Sequence, residues 1–217
     1  MLSQLSLAAA GSRALVVGSG RGLLARGLAR LGFKVVAADA SLAATALALD
    51  ADDGLGITYL TTPAEELDWP DGSFNLVYCA DTLEITERLD AVLTQAARAA
   101  SQRAFVYDTV NRTPVSRLIY LSAFQPFPGT RIIPRSRYAA HRLRRPAELA
   151  QALDRAGLSA KDVSAFKPCD VRSLMRATRG RRRGTLTDEQ LPELVDMVLE
   201  PDGNPVVTYL GHAIHRA

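Results

Sequence analysis

Ala14-Leu15-Val16-Val17-Gly18-Ser19-Gly20-Arg21-Gly22 decides how the rest of the chain is read. Four apolar residues in a row, ending on a glycine, describe a strand buried on both faces, as in a parallel sheet covered by helices. Leu23, Leu24, Leu28 and Leu31 then recur at helical spacing until Gly32 supplies a stop. A second apolar run, Lys34 to Ala38, ends at Asp39, and Ser41 is placed to cap an alanine-rich helix from Leu42 to about Leu49. Strand, helix, strand, helix in this cadence is the signature of βαβ units and a mostly parallel sheet.

The cadence continues outward. Ile57 to Thr61 and Phe74 to Cys79 read as third and fourth strands, and a helix from about Leu89 to Ala100 leads into a fifth at Ala104 to Thr109. The segment from Thr113 to Arg137 breaks the rhythm. It offers an apolar stripe (Val115, Leu118, Ile119 and Ser122, widened by Leu121 and Phe124) and then a loop with Pro126, Phe127, Pro128 and Pro134. Regularity returns with a helix from Pro146 to Ala156, stopped by Gly157, and a strand near Asp162 to Phe166. Next come Arg179, Arg181, Arg182 and Arg183 around Gly180 and Gly184, read as a solvated mobile loop. A helix capped around Thr187 or Asp188 and a last strand near Val206 to Leu210 complete the pattern. With no internal repeat and no long linker, residues 1–217 read as a single domain with an insertion at about 113–140.

Composition bounds the class. Of 217 residues 47% are hydrophobic and 23% charged, which excludes wholesale disorder and fits one full domain. No run approaches the ~20 apolar residues of a membrane span, and the N-terminus lacks a charged segment followed by an apolar signal core. Cys79 and Cys169 are too few for a disulfide framework and are not spaced as a metal knuckle. The expectation is a soluble protein of the reducing cytoplasm. The net charge of +3 is carried mostly by arginine, lysine occurring only at Lys34, Lys161 and Lys167. The positive charge gathers in Arg142, Arg144 and Arg145 and again in the later arginine cluster, which is either a solvated loop or a patch for an anionic surface. A nucleic-acid partner is not expected, since such a binder has a denser basic footprint with interleaved aromatics.

Gly18-Ser19-Gly20-Arg21-Gly22 lies where a strand turns into a helix, so its glycines permit a sharp bend and its amides face an anionic group at the helix N-terminus. A dinucleotide fingerprint would need its third glycine at position 23, which is leucine. Gly-x-Gly-x-Gly is instead the spacing used for the carboxylate of S-adenosylmethionine. Asp39, at the end of the second strand, falls beside this loop at the sheet's carboxyl edge, where its carboxylate can accept from two ribose hydroxyls. A tight structural turn and a helix cap are the plainer readings of the two features.

These residues resemble the class I S-adenosylmethionine-dependent methyltransferases, and within them the 3-O-methyltransferases of ubiquinone biosynthesis. The similarity rests on residues 15–22, on Ala64 through Cys79, and on Asp81-Thr82-Leu83-Glu84. It continues in Asn111-Arg112, Arg145 to Leu149, and Val207-Thr208-Tyr209. It implies a Rossmann-like seven-stranded α/β sheet, mostly parallel with an antiparallel last strand, and helices on both faces. It implies further that Gly18, Ser19, Gly20 and Gly22 hold the methionine part of the cofactor. Asp39 and Ala40 would hold its ribose, Ala64 and Glu65 its adenine, and Cys79 and Ala80 would pass its sulfonium. S-adenosylhomocysteine would be the product.

The chain also departs from the family. Val16 replaces the acid usual two residues before the first glycine, and Pro63 replaces the acid before the Ala-Glu pair. The family's Glu-x-x-Glu-His cluster reads Asp81-Thr82-Leu83-Glu84-Ile85, and its Gly-Thr-His-Asp stretch reads Ser136-Arg137-Tyr138-Ala139. Asp81 and Glu84 remain a candidate Mg²⁺ pair. A phenol has a pKa near 10, so a base or cation that removes its proton helps transfer to oxygen; Glu84, Asp81 and His141 are candidates, with Tyr138 to orient the acceptor. Only about a dozen residues precede the first strand, so the lid is expected to be missing, supplied by a partner such as a second copy, or improvised from elsewhere in the chain. Arg112, Arg117 and Arg131 beside the apolar stripe of the insertion suggest peripheral membrane contact. The sequence therefore points to a biosynthetic transferase, an O-methyltransferase of the EC 2.1.1 type acting on a small aromatic, polyketide-like or prenylated hydroxyl. The alternative is a methyltransferase fold that binds the cofactor or its product while catalysing another reaction, or none.

Overall fold

Alternation along the central strands sorts the core into two layers. Leu15 and Val17 pack with Val36, Val77, Cys79, Phe105 and Tyr107 on one face of the sheet. Ala14 and Val16 pack with Val35, Ala37, Leu76, Tyr78 and Val106 on the other. Both layers are covered: Val92, Leu93 and Ala96 from one helix and Leu149 and Leu153 from another close the first, and Ala25 and Leu28 close the second. This double burial is why the first strands read as unbroken apolar runs. Each fully buried Leu or Val in them contributes about 1.5–3 kcal/mol relative to exposure.

A computed structural model describes residues 9–101, 104–125, 136–187, 190–201 and 203–216. Strands β1 (Arg13–Val17), β2 (Lys34–Asp39), β3 (Thr58–Thr61), β4 (Leu76–Cys79) and β5 (Phe105–Val110) alternate with helices α1 (Leu23–Arg30), α2 (Leu42–Asp50) and α3 (Leu89–Ala99). Ser41 caps α2 through its hydroxyl, which accepts from the amide of Ala44. A short helix α4 (Pro114–Ser116), capped by Thr113, runs on as a π-helical turn over Arg117–Ala123. Then follow α5 (Pro146–Arg155), β6 (Leu158–Pro168), α6 (Val171–Arg182), α7 (Leu191–Leu194), β7 (Met197–Glu200) and β8 (Thr208–His215).

The eight strands form one sheet in the order β3-β2-β1-β4-β5-β8-β6-β7. The pairs from β3 to β5 are parallel, and β8 runs antiparallel between β5 and β6. The α/β sheet with its antiparallel last strand is as expected, but among the described residues the count is eight and not seven. The additional strand, β7, pairs antiparallel with β6 from Ala165 to Pro168. It exists because β6 extends to Pro168, two residues past its expected end, and offers a free edge. Chain order reverses on either side of β1, which makes the carboxyl ends of β1 and β4 the topological switch point where open α/β sheets bind ligands.

Two other segments differ from expectation. Residues 171–182 are helix α6, so the arginine cluster begins on a helix and not in a loop. The expected helix after it is the four-residue α7, preceded by Gln190, whose side chain accepts from the amide of Thr187; Asp188 lies outside the described residues. In the insertion, Val115 and Leu118 face solvent at 44% and 65% exposure. Ser116 is buried, and Tyr120 and Leu121 pack against Val110, Tyr138 and Leu143. The π turn therefore directs a different stripe inward than α-helical spacing predicted. Pro126, Phe127, Pro128, Arg131 and Pro134 lie outside the described residues. Among the described residues, no helix is long and apolar enough to cross a membrane.

Candidate cofactor crevice

At the switch point the chain leaves β1 through Gly18, which has φ +74°. A Cβ there would sit 2.0 Å from Thr82 Oγ1 and 2.4 Å from the Ala80 carbonyl oxygen, so only glycine lets the loop lie against the turn after β4. The amides of Gly18 and Ser19 donate to the Ala38 carbonyl at 2.8 and 3.1 Å. The amide of Gly20 donates to Asp39 Oδ2 and that of Ser41 to Asp39 Oδ1, both at 2.8 Å. Asp39 thus ties the glycine loop to the end of β2. These three loop amides are directed into the protein, so the loop offers a ligand its shape and the N-terminal end of α1.

The loop opens onto a crevice of about 1410 Å³, enough to hold a nucleoside cofactor beside a second small molecule. Gly18, Ser19, Gly20, Asp39, Ala40, Ala64, Glu65 and Ala80 all line it. Two expected cofactor contacts do not. Gly22 caps α1, and a Cβ there would stand 3.1 Å from Ala48, Arg26 and Tyr59, so this glycine serves helix packing. Cys79 is wholly buried on the α3–α5 face of the sheet, and burial pushes its thiol up, out of reach of a ligand. Its parity with Val77 fixes that direction, leaving Ala80 as the residue that meets the crevice.

Facing the glycine loop stands a wall of acids. Asp81 lines the crevice with φ +44°, a left-handed conformation that aspartate and asparagine adopt more readily than other non-glycine residues. Its amide donates to Asp108 Oδ1 at 3.0 Å, and the hydroxyl of Thr82 donates to the Ala80 carbonyl at 2.7 Å. Burial, reinforced by the charge of Asp81, pushes Asp108 up to about 7, while the Asp81 amide and the Tyr78 hydroxyl act the other way. Glu84 is fully buried, and its Oε2 accepts from Thr109 Oγ1 at 2.8 Å. Burial first, and then the charges of Asp81 and Asp108, raise its carboxyl well above the usual range, so it holds a proton.

This geometry divides the catalytic candidates. Asp81 and Tyr138 face the crevice, whereas Glu84 and His141 do not. Tyr138 is clamped by Gln125, which donates to its carbonyl and accepts from its amide, and its ring meets Tyr120 edge-on at 5.0 Å. Burial raises its hydroxyl, which therefore stays a hydrogen-bond donor. His141 points to solvent and meets Glu87 at 3.2 Å. Arg142 and Arg144 turn inward, donating to the carbonyls of Ile85 and Leu83, and so brace the segment after β4 instead of forming a free basic face.

The same division answers the metal question. Glu84 points into the core and bonds Thr109, and no group of three or more His, Cys, Asp or Glu side chains is assembled for a metal ion among the described residues. Asp81 and Glu84 do not fit Mg²⁺. For S-adenosylmethionine the fit is good. The loop lies flat only because Gly18 lacks a Cβ, Gly20 leaves open space toward the crevice, and the expected ribose and adenine contacts all line it.

Sequence reasoning missed Asp108, Tyr78, Arg137 and Thr178. An acid near the carboxyl end of the fifth strand, toward the same edge of the sheet as Asp39, was the available signal for Asp108. Arg137 and, from α6, Thr178 also line the crevice, which supplies cover from within the chain.

Comparison with known proteins agrees with this geometry. Residues 15–107 match the family model described as a methyltransferase domain. The ubiquinone biosynthesis O-methyltransferase of Xanthomonas euvesicatoria pv. vesicatoria is 32% identical over 160 residues, covering 71% of this chain and 66% of that protein. The chain therefore spans just under two thirds of that relative. A crystal structure of an S-adenosylmethionine-dependent methyltransferase from Mesorhizobium loti superposes with a TM-score of 0.64 at 23% identity, covering 99% of this chain and 95% of that one. The [4+2]-cyclase SpnF superposes with a TM-score of 0.63 at 17% identity, over 99% of this chain and 81% of its own. Taken with the glycine loop, Asp39 and the sheet order, these likenesses show that the chain carries a methyltransferase domain over residues 15–107 and has the fold of the S-adenosylmethionine-dependent methyltransferases.

Proposed function

We propose that the protein methylates a hydroxyl of a small aromatic, polyketide-like or prenylated acceptor. The observation that carries this reading is the placement of Asp81 and Tyr138 in the same crevice as the glycine loop and Asp39. The bound cofactor supplies an electrophilic methyl group on a sulfonium. Gly18, Ser19 and Gly20 cradle its amino-acid tail, Asp39 and Ala40 its ribose, and Ala64 and Glu65 its adenine. Tyr138 donates a hydrogen bond that orients the acceptor, and Asp81 takes the acceptor's proton. S-adenosylmethionine, when bound, would supply its methyl group to the acceptor oxygen and become S-adenosylhomocysteine. Holding the acceptor oxygen in line at near-attack distance provides much of the rate. Exposed Val115 and Leu118 beside Arg112 and Arg117 support peripheral contact with an anionic membrane that presents a prenylated acceptor.

Incubation with methyl-labelled S-adenosylmethionine and a panel of catechols and phenols tests the proposal. Label appears in an organic-soluble product with the wild type, and Asp81→Asn lowers turnover by about 10²–10⁴, the range of general base catalysis. The likeness to a cyclase shows that this fold does not dictate methyl transfer. Tight binding of S-adenosylhomocysteine with no label transferred across the panel would favour a non-methylating role.

A further inference from the structure

The acid wall bears on which form of the cofactor the crevice prefers. A ribose on Asp39, at the end of β2, and an amino-acid tail on the loop after β1 leave the sulfur that joins them at the carboxyl end of β1. The neighbour of β1 on the open side is β4, with Val17 registered against Cys79 and the crevice lined there by Ala80 and Asp81. Asp108 is one hydrogen bond behind, holding the Asp81 amide at 3.0 Å. Glu84 lies in the same field, and its buried Oε1 has no hydrogen-bond partner among the described residues. Of the basic residues lining the crevice, Arg21 belongs to the glycine loop. Arg137 lies over the ring of Tyr138, its guanidinium carbon 6.0 Å from the ring centre.

We infer that Asp81 and Asp108 are specificity-determining residues that favour the cationic sulfonium of S-adenosylmethionine over the neutral thioether of S-adenosylhomocysteine. The two nucleosides share tail, ribose and adenine and differ in one methyl group and one positive charge. Groups that act through the shared parts therefore shift both affinities together. Carboxylates near the sulfur shift only one, and the crevice would release product in favour of fresh cofactor. The inference rests on the cofactor occupying this crevice and is independent of the acceptor.

The test is calorimetric titration of both nucleosides, at pH 8 and low ionic strength, into wild type, Asp81→Asn and Asp108→Asn. Asparagine tolerates the left-handed backbone at position 81 and keeps an oxygen to accept the Asp81 amide at position 108. Thermal melts verify that both variants fold. Each substitution is expected to weaken S-adenosylmethionine about tenfold, as one charge acting across several ångström at an effective dielectric between protein and water would. S-adenosylhomocysteine should stay within about twofold. Equal weakening of both ligands overturns the inference and assigns the acids to a part the two share; an unchanged ratio overturns it also. If the wild type binds neither nucleoside, the cofactor assignment fails and this inference with it.

Discussion

The two walls of the crevice handle negative charge in opposite ways. On the β1–β2 side one carboxylate, Asp39, has each oxygen bonded by a backbone amide, from Gly20 and Ser41. On the β4–β5 side three carboxylates, Asp81, Glu84 and Asp108, lie within one another's electrostatic field, with the Asp81 amide, the Thr109 hydroxyl and the Tyr78 hydroxyl as donors. Hydrogen bonds from charged or polar donors favour the ionised form, whereas burial and like charge favour the proton. The first wall is thus one carboxylate held in place by two amides, whereas in the second Glu84 and Asp108 are pushed up by burial and by neighbouring charge. The contrast locates binding on one side and charge-sensitive chemistry on the other.

The most severe way to break this contrast is at the point where the walls touch. Gly18→Ala places a methyl group on Thr82 and Ala80 in a left-handed conformation that alone costs about 1–3 kcal/mol. It is expected to lower the melting temperature by at least about 6 °C and to abolish S-adenosylhomocysteine binding. Gly20→Ala, with nothing within 4 Å of its Cβ, is expected to fold with a much smaller loss. Differential scanning calorimetry of the pair separates a steric contact from a conformational preference.

Next in size is Asp39→Ala, which removes both amide contacts of the first wall. It also removes the carboxylate that would hold the ribose; one hydrogen bond to a charged group contributes about 1.5–3 kcal/mol, so affinity for S-adenosylhomocysteine should fall about ten- to a hundredfold by isothermal titration. An unchanged affinity would show that the first wall does not bind the nucleoside.

The second wall is sharpened by pH. Glu84 and Asp108 titrate higher in the folded protein than in the unfolded chain, so the native state holds protons that the unfolded state releases. Their stabilising contribution is complete below the unfolded value of about 4 and is lost as pH rises through the folded values. For Asp108 that window runs from about 4 to about 7. Glu84→Gln, a neutral isostere, should therefore match wild type in melting temperature near pH 4 and exceed it by a few degrees at pH 8. The smallest effect is expected at His141→Ala. Solvent-facing and off the crevice, it should leave nucleoside affinity and stability within experimental scatter, roughly 0.5 kcal/mol.

Local signals made the first wall legible. The Gly-x-Gly-x-Gly spacing, the apolar run before it and an acid at the end of the next strand are all short-range features, and sheet topology brings them together without further information. Cys79 and Ala80 were separable by strand parity, because Val77 and Cys79 share a face and the next residue leaves the strand. Gly22 looked like a ligand contact because spacing cannot report that Ala48 and Tyr59 approach it from α2 and β3. The second wall depends on sequence-distant partners: Asp108 meets Asp81 across 27 residues, and Arg144 braces Leu83 across 61. Arginine content disguised α6, since a polar helix that covers a crevice carries no strong apolar period. Strand β7 was hidden because it needs only the free edge of a long β6.

A crystal structure with bound S-adenosylhomocysteine bears most directly on the central assignment. The nucleoside is expected between the glycine loop and Asp39, with its ribose hydroxyls on that carboxylate, its adenine against Ala64 and Glu65, and its sulfur toward Asp81. Density for the nucleoside outside this crevice, or a saturating soak that leaves the crevice empty, would contradict it.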